Sequence, residues 1–105
     1  MTSTVHDPVD MLRDTLEQQF QRYTDQLIDL TVRSQQPDRG GYDDNLPALI
    51  ASARQAVADT ANALRRMAEG SYGTCQSCTA EIPLQRLEIL PHASFCVACQ
   101  RSLTG

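Results

Sequence analysis

Four cysteines constrain this chain more than any other feature. They stand as Cys75-Gln-Ser-Cys78 and Cys96-Val-Ala-Cys99 with seventeen residues between the pairs, a spacing that lets four thiolates converge on one tetrahedral Zn²⁺. Disulfides would suit a secreted chain, but the opening residues MTSTVHDPVD have neither the basic start nor the apolar run of a signal peptide. A redox dithiol needs a helix N-terminus beside a βαβ pattern, which the sequence lacks. One structural zinc held by Cys75, Cys78, Cys96 and Cys99 is therefore the expectation. Four sulfur ligands fill the tetrahedron and leave no position for water. No nucleophile and base can be paired elsewhere with any specificity, so an enzyme is not expected.

The rest of the chain reads as a helical hairpin ahead of this unit. Residues 1–7 are polar, with His6 a solvated terminal residue. From Pro8 the pattern turns helical, with Asp7 as N-cap and proline in the first position, where its missing N–H does no harm. Val9, Leu12, Leu16, Phe20, Tyr23, Leu27 and Leu30 recur at steps of three or four, one narrow apolar stripe on a helix of about residues 8–36. Asp10, Asp14, Glu17, Asp25 and Asp29, with Arg13, Arg22 and Arg33, make the solvated face. Residues 35–45 read QQPDRGGYDDN, a turn whose tip spans 37–45.

A second helix, about residues 45–69, opens on Asn45 or Asp44 with Pro47 in its first turn. Leu46, Ile50, Ala53, Val57, Thr60, Leu64 and Met67 form a heptad-like seam in it, and its many alanines favour helix and close approach. Gly70 stands where a helix stops. The fold class is thus mainly α: an antiparallel two-helix coiled coil over residues 1–70, then a four-cysteine zinc finger over 71–105 with a short C-terminal helix. A homodimeric four-helix bundle would bury the same stripes. Between the knuckles, Ile82, Leu84, Leu87, Ile89 and Leu90 are too few for a core of their own. They are expected to form a short turn and strand over the metal, which supplies much of the unit's stability. His92 reads as a surface-loop residue, because four cysteines already complete the site.

A net charge of −4 and a pI near 4.9 argue against a phosphate-binding surface. No apolar run reaches the length of a membrane span. With reduced thiols needed for zinc, a cytoplasmic location is expected.

The run from Tyr72-Gly-Thr-Cys75 through Ile82-Pro83, Arg86-Leu87-Glu88 and Pro91 to Phe95-Cys96-Val-Ala-Cys99 resembles the zinc finger of the DksA/TraR family of bacterial transcription regulators. The resemblance includes the seventeen-residue gap and the Ile-Pro-x-x-Arg-Leu-Glu-x-x-Pro wording; over the hairpin it is architectural. It implies a protein that binds RNA polymerase rather than DNA. The family inserts its coiled coil through the secondary channel, bringing acidic tip residues toward the catalytic Mg²⁺ and altering promoter complexes. Some members act with the nucleotide ppGpp, an involvement no residue here supports on its own. Family tips read Asp-x-x-Asp-x-Ala. The nearest match is Asp43-Asp44-Asn-Leu46-Pro-Ala48, with Leu46 at the second acidic position, so the resemblance assigns the tip to Asp43, Asp44 and Ala48. A literal Asp7-Pro-Val-Asp10 lies away from the turn.

Two other functions compete. A GATA-like DNA-binding finger has related cysteine spacing but needs a basic helix and tail, and only Arg101 follows Cys99. A zinc-stapled helical adaptor for some other protein fits the same residues, with zinc fixing the base of the hairpin.

Overall fold

The computed structural model describes residues 7–35 and 45–104, which form four helices. Helix α1 (Pro8–Ser34) begins as its first residues dictate: the Asp7 carboxylate accepts the Val9 N–H at 2.9 Å, and Pro8 occupies the first turn. Its apolar stripe faces inward, with Leu12, Leu16 and Leu30 buried and Val9, Phe20, Tyr23 and Leu27 half-buried. The opposite face is solvated. There Arg13 pairs with Asp10 at 3.0 Å and Arg33 with Asp29 at 3.1 Å, both in the open, where such pairs add a few tenths of a kcal/mol.

Helix α2 (Leu46–Glu69) buries Ala53, Thr60, Ala63 and Arg66. Its larger seam residues Leu46, Ile50, Val57, Leu64 and Met67 are half-buried. Apart from Arg66 the residues that α2 buries are small, whereas those that α1 buries are leucines, a large-against-small complement that suits close packing of the pair. Thr60 is fully enclosed at little polar cost, because its hydroxyl donates to the Ala56 carbonyl at 2.8 Å. The helix stops at Gly70, whose φ of +83° is left-handed. Ser71 N–H bonds the Arg66 carbonyl at 2.9 Å and Gly70 N–H the Met67 carbonyl at 3.3 Å, a Schellman closure.

The two long helices pack along each other. Leu12, near the start of α1, and Met67, near the end of α2, belong to the same apolar cluster, which fixes the pair as antiparallel. The stripes thus fill one another within a single chain. The shape is elongated: the radius of gyration is 17.1 Å, against about 13 Å for a compact domain of this size.

After Gly70 the chain makes one antiparallel bridge between Thr74 and Glu81, then helix α3 (Leu84–Ile89) and helix α4 (Val97–Thr104). The strand expected between the knuckles is instead α3. Short apolar runs do not separate helix from strand by pattern alone. Here Pro83, at φ −58°, leads into Leu-Gln-Arg-Leu-Glu, all good helix formers, and the inward residues Ile82 and Leu87 do not alternate with a period of two. Ile82, Leu87, Ala93 and Cys75 then pack with Leu12, Met67, Tyr72 and Phe95. The finger therefore completes its core with side chains from the open end of the hairpin.

Candidate metal centre

The first knuckle is a tight turn held by its own backbone. Cys75 N–H donates to the Ala80 carbonyl at 2.8 Å, Thr79 N–H to the Cys75 carbonyl at 2.9 Å, and Ile82 N–H to the Gly73 carbonyl at 2.7 Å. Two residues take left-handed backbone to close it, Gly73 at φ +86° and Thr79 at φ +64°; the first is a glycine, and the second carries the strain of a β-branched residue there. The second knuckle sits at the start of α4, where Gln100 N–H bonds the Cys96 carbonyl at 2.9 Å. That places Cys96 immediately before α4 and Cys99 in its first turn. Gln76 N–H reaches the Ser94 carbonyl at 2.8 Å, and Arg86 Nε donates to the Phe95 carbonyl at 3.2 Å, so the knuckles are tied to each other and to α3.

The four Sγ atoms all lie within 4.8 Å of one another, and Cys78 and Cys96 place theirs 3.7 Å apart. This is too long for a disulfide and matches the edge of a ZnS₄ tetrahedron, about 3.8 Å for Zn–S bonds of about 2.3 Å. Cys75 is buried, Cys96 and Cys99 are half-buried and Cys78 is exposed, as in a structural site at a domain edge. The donor set and geometry fit zinc closely and leave no open coordination position.

The metal-free thiols differ in acidity. The Cys78 backbone N–H, with further donors from Cys96 and Ser77, holds Cys75 down at about 6 against the opposing effect of burial. Cys99 is pushed up to about 12 by its contacts with Cys96, Cys75 and Cys78 and by burial. Zinc needs all four as thiolates, so uptake near neutral pH must displace the Cys99 proton, and below about pH 6 protons also compete for Cys75. Apparent zinc affinity is accordingly expected to rise with pH and to fall more steeply on acidification below pH 6. Competition against a chromophoric chelator at several pH values measures this; an affinity flat in pH would contradict it.

Asp43 and Asp44 lie outside the described residues. Ala48 is exposed in the first turns of α2, about 30 Å from that helix's finger end at 1.5 Å per residue. His92 is a partly exposed loop residue with its Nε2 4.0 Å from an Asp59 oxygen on α2.

One residue at the site escapes a reading of the sequence. Arg66 is 2 % exposed, and its guanidinium reaches both sides of the finger. Nη2 donates to the Thr74 carbonyl at 2.9 Å; Nη1 donates to Ser94 Oγ at 2.9 Å and to the Ala93 carbonyl at 3.4 Å. Tyr72 adds a bond from its hydroxyl to the Pro91 carbonyl at 2.8 Å, and burial raises its phenol to about 12. The only sequence signal for Arg66 is its place beside the seam residue Met67, where an ordinary helix-end cation reads the same way.

A four-cysteine zinc centre carried at the open end of an antiparallel helical hairpin defines the class. Residues 70–104 match the family described as the prokaryotic dksA/traR C4-type zinc finger. The finger, about a third of the chain, is thus similar to that family's, and its four clustered cysteines fit a C4-type zinc site. The chain is 38 % identical over 47 residues to general stress protein 16O of Bacillus subtilis, covering 45 % of this chain and 29 % of that protein. Over 37 residues it is 40 % identical to the RNA polymerase-binding transcription factor DksA of Buchnera aphidicola subsp. Acyrthosiphon pisum, covering 35 % of this chain and 24 % of that protein. The matches thus span less than a third of these relatives. The fold is that of transcription factor DksA2 from Pseudomonas aeruginosa, with a TM-score of 0.73 at 22 % identity over 92 % of this chain and 83 % of that one. Among the described residues no helix is long and apolar enough to cross a membrane.

Proposed function

We propose that this protein binds RNA polymerase in the cytoplasm and modulates transcription initiation by presenting the tip of its hairpin through the secondary channel. The observation that carries the reading is the fold, a hairpin and four-cysteine finger matching DksA2 over nearly the whole chain. The naming of a relative as an RNA polymerase-binding factor supports it. The physical form suits the role. Helix α1 alone has 27 residues, a rod of about 40 Å, stiffened by the seam and narrow enough for a channel.

Asp43 and Asp44 would act at the far end by charge on a Mg²⁺-centred site. A finger whose thiolates fill the coordination sphere anchors and does not catalyse. The acidic chain, −4 overall, is poorly suited to binding DNA phosphates directly.

The test is native mass spectrometry or co-sedimentation with core RNA polymerase, comparing the intact chain with a variant lacking residues 37–45. A complex with the intact chain, together with a lost effect on promoter-complex lifetime for the shortened one, is the expected result. In the double variant Asp43→Asn/Asp44→Asn, promoter-complex lifetime is expected to return to that of polymerase alone while the fold and one bound zinc are retained. No complex with the zinc-loaded intact chain at micromolar concentration would overturn the reading and favour the adaptor.

A further inference from the structure

We propose that Arg66 is the positioning residue that fixes the direction in which the finger holds the hairpin. Its consequence for polymerase rests on the function proposed above, whereas the orientation itself does not. Among the described residues, the junction otherwise has the turn after Gly70, one long, partly exposed contact of 4.0 Å between His92 and Asp59, and a small apolar cluster to which the hairpin gives Leu12 and Met67. Apolar contact is non-directional; it holds surfaces together but tolerates rotation about them. Arg66 supplies direction.

Its backbone carbonyl accepts from Ser71 N–H at 2.9 Å and Tyr72 N–H at 3.2 Å, so it pins the chain as it leaves α2. Its side chain then grips two segments distant from each other in sequence. One is Thr74, immediately before the first ligand Cys75, and the other is Ala93-Ser94, just before Cys96. A planar fork with several fixed donors can hold both at once, which a single ammonium cannot. Rotation of the hairpin against the finger would break these bonds together and leave a guanidinium enclosed without partners, which is costly.

The charge is also accounted for. Among the described residues no carboxylate pairs with Arg66, and burial lowers its pKa. A zinc ion bound by four thiolates carries a net charge of −2, so the loaded finger supplies the negative potential that a buried cation beside Cys75 requires. A leucine or methionine at this position would fill the volume but would neither answer that charge nor point.

Residual dipolar couplings measured on the zinc-loaded chain test the proposal. In the wild-type protein one alignment tensor is expected to fit the N–H vectors of all four helices. In Arg66→Met, with one zinc per chain retained by native mass spectrometry, α3 and α4 are expected to need a tensor of their own. If about a tenth of the molecules then hold the competent orientation, polymerase binding weakens about tenfold. Arg66→Lys should recover the orientation only in part.

A single tensor with wild-type orientation in zinc-loaded Arg66→Met would overturn the proposal. Should that variant fail to fold, Ser94→Ala removes one partner and leaves the arginine in place. Wild-type alignment in both Ser94→Ala and Arg66→Lys would then overturn it equally. A wild-type chain that does not bind polymerase would sink the functional reading and leave the tensor result standing.

Discussion

Removing the zinc with a strong chelator is expected to unfold residues 71–104 while most of the hairpin survives. Among the described residues the finger buries only Cys75, Ile82, Leu87, Pro91 and Ala93 of its own, far too little apolar surface to offset the ordering of more than thirty residues. Structural zinc in small fingers contributes about 10–16 kcal/mol near neutral pH, which makes metal loading the largest single energetic term in this half of the molecule. The hairpin has its own seam, closed by Leu16, Leu30, Ala53 and Ala63, and needs the finger only at its open end.

Far-UV circular dichroism should therefore lose about a fifth of its helical signal, since α3 and α4 hold 6 and 8 helical residues against 27 and 24 in α1 and α2. Fraying of the last turns of the hairpin would add to this, because Leu12, Met67 and Arg66 lose their partners there. Cys78→Ser and Cys96→Ser should behave like the chelated protein, with no zinc detected by mass spectrometry. An unchanged finger spectrum after complete zinc removal would show that packing alone sustains the unit.

The second large effect is expected at Leu16, which is completely enclosed in the seam. Leu16→Ala removes a buried isobutyl group between two rigid helices that cannot collapse around the space. A loss of about 2–5 kcal/mol follows, equivalent to a fall in the melting temperature of the zinc-saturated protein of roughly 10 °C or more. The matched control is Ile28→Ala on the same helix, where the side chain is 57 % exposed and the shift should be within a few degrees. Equal shifts for the two would mean that the stripe is not the hairpin's core.

Much of this was legible in the sequence because it depends on neighbours along the chain. The two Cys-x-x-Cys pairs are local devices, as are the stripe from Val9 to Leu30, the Asp7-Pro8 start of α1 and the Gly70 stop. The cysteine spacing allows one closed metal site. Helical periodicity assigns each side chain a face, and the caps follow from φ preference and hydrogen-bond reach. Where the signal was short, it failed: six residues from Leu84 read equally well as strand or helix, and the preference for α3 came from Pro83 and from contacts on both sides of it.

Residue order alone is enough to specify the metal, its four ligands, two amphipathic helices and where each begins. Folding was needed to show that Leu12 and Met67 complete the finger's core, that Tyr72 reaches Pro91, and that Arg66 is buried across Thr74 and Ser94. These contacts join residues brought together by the return of the chain. A guanidinium on a helix flank has no local pattern to distinguish exposure from burial; its fate depends on which carbonyls the folded finger sets before it.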